Sequence, residues 1–128
     1  MILAVGLDAV GISRFSEWHL KPHKQLLRIF TEQEIDYCLS VPIKSAERFA
    51  ARFAAKEALY KALSQLDRKH AVPFLTLCKE SEVVLERAPA LNIAWQKLGL
   101  VPHKTLLTIT HTQMTAIAVV IIHKIVEN

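Results

Sequence analysis

The stretch from Ala46 to about Leu66 constrains the fold of this chain more than any other segment. Ala46, Phe49, Phe53, Ala54 and Leu63 recur at helical spacing, with no proline or glycine among them. Ser45 precedes the run and is placed to cap it. The spacing predicts the longest helix of the chain. Alanines at positions 50, 51, 54, 55, 58 and 62 keep that helix slim, so other backbone can approach it closely.

Shorter elements are expected on either side. Ile2 to Asp8 reads as an apolar strand that ends at its aspartate, and Ser13 to Leu20 as a short helix. Pro22 disfavours helix at Lys21, so the chain should break there before His23 to Phe30 resumes with Leu26, Leu27 and Phe30 inward. Thr31-Glu32-Gln33-Glu34 is a capping box, opening a helix to about Leu39. Phe74 to Cys78 and Glu82 to Leu85 read as strands, and Ala90 to Leu98 as an amphipathic helix ended by Gly99. Thr105 to Thr110 and Thr115 to Ile125 form a strand pair joined through His111-Thr112-Gln113-Met114. The expected class is α+β, an antiparallel sheet packed against the long helix and shorter ones, in a single domain spanning 1–128.

Composition narrows the chemistry. The 128 residues are 52% hydrophobic and 22% charged, which is globular rather than disordered. The three glycines, Gly6, Gly11 and Gly99, cannot spell a dinucleotide fingerprint or a P-loop. A net charge of +4 favours an acidic partner without giving a nucleic-acid signature. Cys38 and Cys78 form no C-x-x-C motif and read as small buried residues in a reducing cytosol. The apolar start reads as a strand rather than a signal peptide. Thr115 to Ile122 falls far short of the roughly 20 apolar residues of a membrane span. A cytoplasmic protein is expected.

Three segments carry candidate chemistry. Asp8 closes an apolar strand, where a carboxylate is costly to bury without a partner, and Gly6 beside it leaves room for a ligand. By itself such an aspartate more often reads as a turn residue. Glu57 and Lys61 stand four apart on one helix face, which on spacing alone describes a surface ion pair. His111 and Thr112 occupy the hairpin tip, where a histidine also serves as a turn cap. His19 and His23 have the spacing of a zinc pair, but Pro22 between them disrupts the helix that would aim them together.

Taken in order, these segments resemble the holo-acyl-carrier-protein synthase family of phosphopantetheinyl transferases. The resemblance is carried by Gly6-Leu7-Asp8 followed by Arg14, by Phe30-Thr31-Glu32-Gln33-Glu34, by Arg48 to Leu63 with its K-E-x-x-x-K-A signature, and by Thr108 to Thr112. It covers 1–63 and roughly 90–125. Two departures stand out: Ser64-Gln65-Leu66-Asp67-Arg68-Lys69 replaces a glycine-rich turn, and Glu80-Ser81-Glu82 replaces a G-x-P. Arg68 and Lys69 are candidate phosphate ligands in place of that turn.

The resemblance implies the phosphopantetheinyl transferase fold and Mg²⁺-dependent transfer of 4′-phosphopantetheine from coenzyme A to a serine of an acyl carrier protein. It further implies Asp8 and Glu57 as metal ligands and Glu57, directly or through a water, as acceptor of the serine proton. Lys61 would steady the leaving phosphate, and Arg52, Lys61, His111 and Thr112 would contact the coenzyme. Arg14, Lys21, Lys24 and Arg28 would face the acidic carrier protein. Members of this short type are typically trimers with shared sites, so Asp8 and Glu57 of one protomer are expected to meet His111 of another. The rival reading from another class is a non-catalytic binding protein that kept the fold.

Overall fold

The computed structural model describes residues 1–66 and 72–126. Its frame is the helix α3 (Ser45–Leu66), laid on one face of a three-stranded antiparallel sheet. The strands run in the order β1 (Ile2–Gly11), β5 (Thr115–His123), β4 (Lys104–His111). A separate antiparallel hairpin pairs β2 (Ser81–Leu85) with β3 (Pro89–Ile93). Helices α2 (Glu32–Leu39) and α4 (Phe74–Lys79) pack on other sides of α3, and the short helix α1 (His23–Leu26) precedes α2. The α+β class and the long helix agree with the sequence.

The sheet meets α3 through small residues. Ala116 and Ala118 on β5 are fully buried, and so are Ala54, Ala55, Ala58 and Ala62 on the helix. Gly6 completes the fit: a Cβ there would lie 1.8 Å from the carbonyl oxygen of Ala58 and 2.9 Å from the nitrogen of Ala62. The open side of Gly6 is therefore taken by helix backbone, not by space for a ligand. The opposite face of the sheet has no cover among the described residues. There Leu3, Val5 and Leu7 of β1 and Leu106 of β4 are 37% to 59% exposed.

A buried ion pair fastens α3 on its other side. The Lys56 ammonium lies 2.7 Å from the Glu34 carboxylate, and both side chains are wholly buried. Glu34 also completes the predicted capping box, accepting from the backbone N–H of Thr31 at 2.8 Å, and takes the N–H of Val83 at 2.8 Å. Beside this pair, burial pushes the Cys38 and Cys78 thiols up to about 12, which leaves them protonated and unreactive.

Several expectations need correction. Asp8 does not end its strand; β1 continues to Gly11 because Ala9 and Val10 stay paired with Ile117 and Ala116. Ser13 to Leu20 forms two separate 3-10 turns, Ile12–Phe15 and Trp18–Leu20. Ser45 is already helical, and its hydroxyl is buried without a partner; the 3-10 turn Pro42–Lys44 leads the chain into α3. Phe74 to Cys78 is helical, since Leu77 and Cys78 bury together one turn after Phe74. Ala90 to Leu98 holds strand β3 instead of a helix, because pairing with β2 outweighs the helix preference of its alanine and leucine. Gly99, at φ +68°, follows this segment in the left-handed region that favours glycine.

The close approach at Gly6 gives a direct test. Gly6→Ala should destabilise the protein by about 3 kcal/mol, because the added methyl forces β1 and α3 apart. Denaturant unfolding of the two chains measures it, and an unchanged midpoint would show that the strand–helix spacing is not as tight as described.

Candidate active site

The crossing of β1 and α3 brings together residues that are far apart in sequence. Asp8 points to the α3 side of the sheet, in the same row as Gly6 and Val10. Its carboxylate is 15% exposed and accepts a hydrogen bond from Lys61 Nζ at 3.0 Å. Lys61 Nζ also donates to the carbonyl of Leu7 at 3.0 Å. Glu57, one turn earlier on α3, is half-buried on the same helix face. Lys61 pairs with Asp8 across the crossing, where spacing alone suggested Glu57 as its partner.

Glu57 is electrostatically strained. Burial raises its carboxyl above the ordinary value, and the neighbouring Asp8 charge raises it further. Lys61 and Arg14 oppose the rise without cancelling it. Arg14 is held nearby because its neighbour Phe15 is fully buried against Phe53, with ring centroids 5.4 Å apart. The Arg14 guanidinium lies 4.8 Å from the Phe53 ring centroid. Two hard oxygen donors side by side, one of them reluctant to ionise, suit a divalent cation such as Mg²⁺. That ion takes one or two carboxylates and completes its shell with phosphate and water. No larger group of three or more His, Cys, Asp or Glu side chains is gathered among the described residues.

Other predicted residues lie elsewhere. His111, at the end of β4, sets Nε2 3.1 Å from the Glu47 carboxylate and Nδ1 3.2 Å from the carbonyl of Thr112. Glu47 stands ten residues before Glu57, about 15 Å along the helix axis. Thr112 closes the hairpin, its hydroxyl oxygen accepting from the N–H groups of Met114 and Thr115. Arg52 is buried, its guanidinium 4.1 Å from the Tyr37 ring centroid on α2, away from Asp8 and Glu57. Arg14, Lys21, Lys24 and Arg28 are all exposed. Arg14, Trp18, Leu20 and Lys21 line an open cleft of about 540 Å³. Arg68 and Lys69 lie outside the described residues. An apolar cavity of about 200 Å³ lies between Tyr60, Leu63, Trp95 and Leu100, with His103 in its lining and no carboxylate.

Sequence reasoning passed over Lys56, Glu34 beyond its capping role, and Glu47. Lys56 had a signal: it follows Phe49 by seven and Phe53 by three, on the stripe that packs inward. Glu47 had none, because its contact with His111 joins distant segments.

The superfamily model described as 4′-phosphopantetheinyl transferase matches residues 4–118, from β1 into β5. The chain belongs to the 4′-phosphopantetheinyl transferase superfamily. It is 37% identical to a holo-[acyl-carrier-protein] synthase of Treponema denticola, with 95% of this chain and 98% of the relative aligned. A holo-[acyl-carrier-protein] synthase of Chlamydia caviae is 39% identical over 92% of this chain and 96% of its own. The fold resembles that of a Bacillus anthracis holo-(acyl-carrier-protein) synthase solved in complex with coenzyme A. The TM-score is 0.76 at 26% identity, over 97% of this chain and 98% of that one.

The strain on Glu57 makes a prediction about stability in this transferase. Its folded carboxyl is harder to ionise than the unfolded one, so ionising it opposes folding. Its contribution is complete below the ordinary value of 4.5 and is lost as the pH rises through the raised folded value. Glu57→Gln should therefore melt at a higher temperature than the parent near pH 7, and the two should converge near pH 4. A variant that melts lower at neutral pH would contradict the raised carboxyl.

Proposed function

We infer that the protein is a holo-[acyl-carrier-protein] synthase: it transfers the 4′-phosphopantetheine group of coenzyme A to a serine of apo acyl carrier protein. Adenosine 3′,5′-bisphosphate is the other product. The observation that carries this reading is the meeting of Asp8, Glu57 and Lys61 at one crossing in a member of this superfamily.

The chemistry at that crossing is in-line displacement at phosphorus. The serine oxygen bonds to the phosphorus that bears the pantetheine arm, and the bridging P–O bond to the second phosphate breaks. The serine proton goes to Glu57, directly or through a water; its raised carboxyl makes it a better base than an ordinary carboxylate. Lys61 sits one turn further on, where its ammonium offsets the charge gathering on the departing phosphate. Asp8 and Glu57 would hold Mg²⁺, which supplies neutralisation of the diphosphate when bound. Thr112 joins His111 as a coenzyme contact in this reading, whereas Arg52, buried against Tyr37, supports α2 instead of reaching the coenzyme. Deleting a charge from the pair should be severe. Asp8→Asn or Glu57→Gln should lower turnover roughly 100-fold. Near-normal turnover of Glu57→Gln at limiting Mg²⁺ would sink the assignment.

The carrier protein docks on the exposed basic face of Arg14, Lys21, Lys24 and Arg28, beside the open cleft. A cytoplasmic setting accords with the two free thiols. No helix among the described residues is long and apolar enough to cross a membrane.

The assembly we propose is a homotrimer with sites at the subunit boundaries. Two observations support it: the apolar sheet face has no cover among the described residues, and His111 lies well along α3 from Glu57. His111 of one protomer then meets Asp8 and Glu57 of the next. Glu57→Gln and His111→Ala chains, each inactive alone, should regain activity when unfolded together and refolded as mixed oligomers. Mixed oligomers no more active than their parents, or a monomer by light scattering, would refute the arrangement.

A further inference from the structure

We propose that Lys56 is a positioning residue for the transfer reaction, fixing the rotation of α3 that turns Glu57 toward Asp8. The inference rests on the reading of Glu57 as the reacting carboxylate. Lys56 is wholly buried, and its Nζ lies 2.8 Å from the carbonyl of Ile29, 2.8 Å from that of Cys78 and 3.0 Å from that of Ser81. The Glu34 carboxylate stands 2.7 Å away. An ammonium has three protons, so four such acceptors leave none for a substrate phosphate. The first lysine of the K-E-x-x-x-K signature therefore does not bind substrate, unlike the role given to the second.

These acceptors come from four places: the turn before α2, α2 itself, the end of α4 and the start of β2. Together they hold one point of α3 against three neighbouring elements. On the sheet side, among the described residues, α3 is bonded only toward its C-terminal end, by Lys61 to Asp8 and the Leu7 carbonyl and by Gln65 to the Val5 N–H. The alanines and Gly6 set the spacing there but add no directional bond of their own. Glu57 is the next residue along, about 100° further round the helix. Turning α3 by roughly 20° would carry the Glu57 side chain some 2 Å sideways, and displacements of about 1 Å can cost a reaction two orders of magnitude.

Lys56→Met alone leaves Glu34 charged and buried without its partner, so it is unsuited to kinetics. Lys56→Met combined with Glu34→Gln removes both charges while keeping shape, and circular dichroism establishes that it is folded at the assay temperature. Steady-state turnover with coenzyme A, apo acyl carrier protein and a Mg²⁺ titration is then measured in two backgrounds, parent and Glu57→Gln. In the parent background, kcat should fall about 10-fold or more, the KM for coenzyme A should stay within about twofold, and half-saturation should need more Mg²⁺. In the Glu57→Gln background the same pair of changes should cost less than about twofold, because the residue it positions is gone. Unchanged kinetics in a folded variant would reduce Lys56 to a structural role. A raised KM for coenzyme A would make it a ligand. Equal losses in both backgrounds would show that it acts apart from Glu57. Each of the three overturns the proposal. Near-normal turnover of Glu57→Gln alone overturns it too, and is distinct because it removes the parent reading of Glu57 first.

Discussion

At Gly6 a hydrogen stands where any other residue would set a carbon 1.8 Å from the Ala58 carbonyl. Strand backbone and helix backbone touch there, with the alanines of α3 and β5 filling the rest of the interface. The spacing between sheet and helix follows from that contact, and so does the reach of the side chains that cross it. Asp8 follows Gly6 by two residues on the same face, near enough for Lys61 to close on it at 3.0 Å. A larger residue at position 6 would push the carboxylate and the lysine apart without altering either.

The opposite flank of α3 follows another logic. A carboxylate and an ammonium removed from water are costly unless nearly every donor and acceptor is matched. Glu34 and Lys56 meet that demand by drawing in Thr31, Val83, Ile29, Cys78 and Ser81. The helix is thus spaced by small residues toward the sheet, where Lys61 bonds Asp8 and Leu7, and held on the other side by a denser, buried set of directional bonds.

Much of this frame could be read from the residues. The capping box at Thr31 and Glu34, the extent of the helices ending at Leu39 and Leu66, and the hairpin after His111 are local patterns, and all appear as expected. Errors fell where tertiary contacts overrule local preference. Phe74 to Cys78 has strand-like residues but buries them at helical spacing. Ala90 to Leu91 favours helix until β2 pairs with it. At the site, the motif named Asp8, Glu57 and Lys61, yet the pairing of Lys61 with Asp8 joins residues 53 apart and has no local signature. Lys56 could be read as inward from its place on the stripe of Phe49 and Phe53, but its partners could not, and neither could those of Arg52, because each lies on a distant segment.

The contact between His111 and Glu47 has a consequence for how this end of the molecule meets anions. Both ring nitrogens of His111 face oxygen acceptors, a carboxylate on one side and the Thr112 carbonyl on the other. An incoming anion cannot simply be added to such a histidine; it must take the place of the carboxylate already there. Binding becomes an exchange of one negative partner for another, and Glu47 is released to solvent as it occurs. The free energy gained is a difference between the new contact and the one given up, smaller than the new contact alone. Such an exchange favours anions that bring a second point of attachment and discriminates against small free ions.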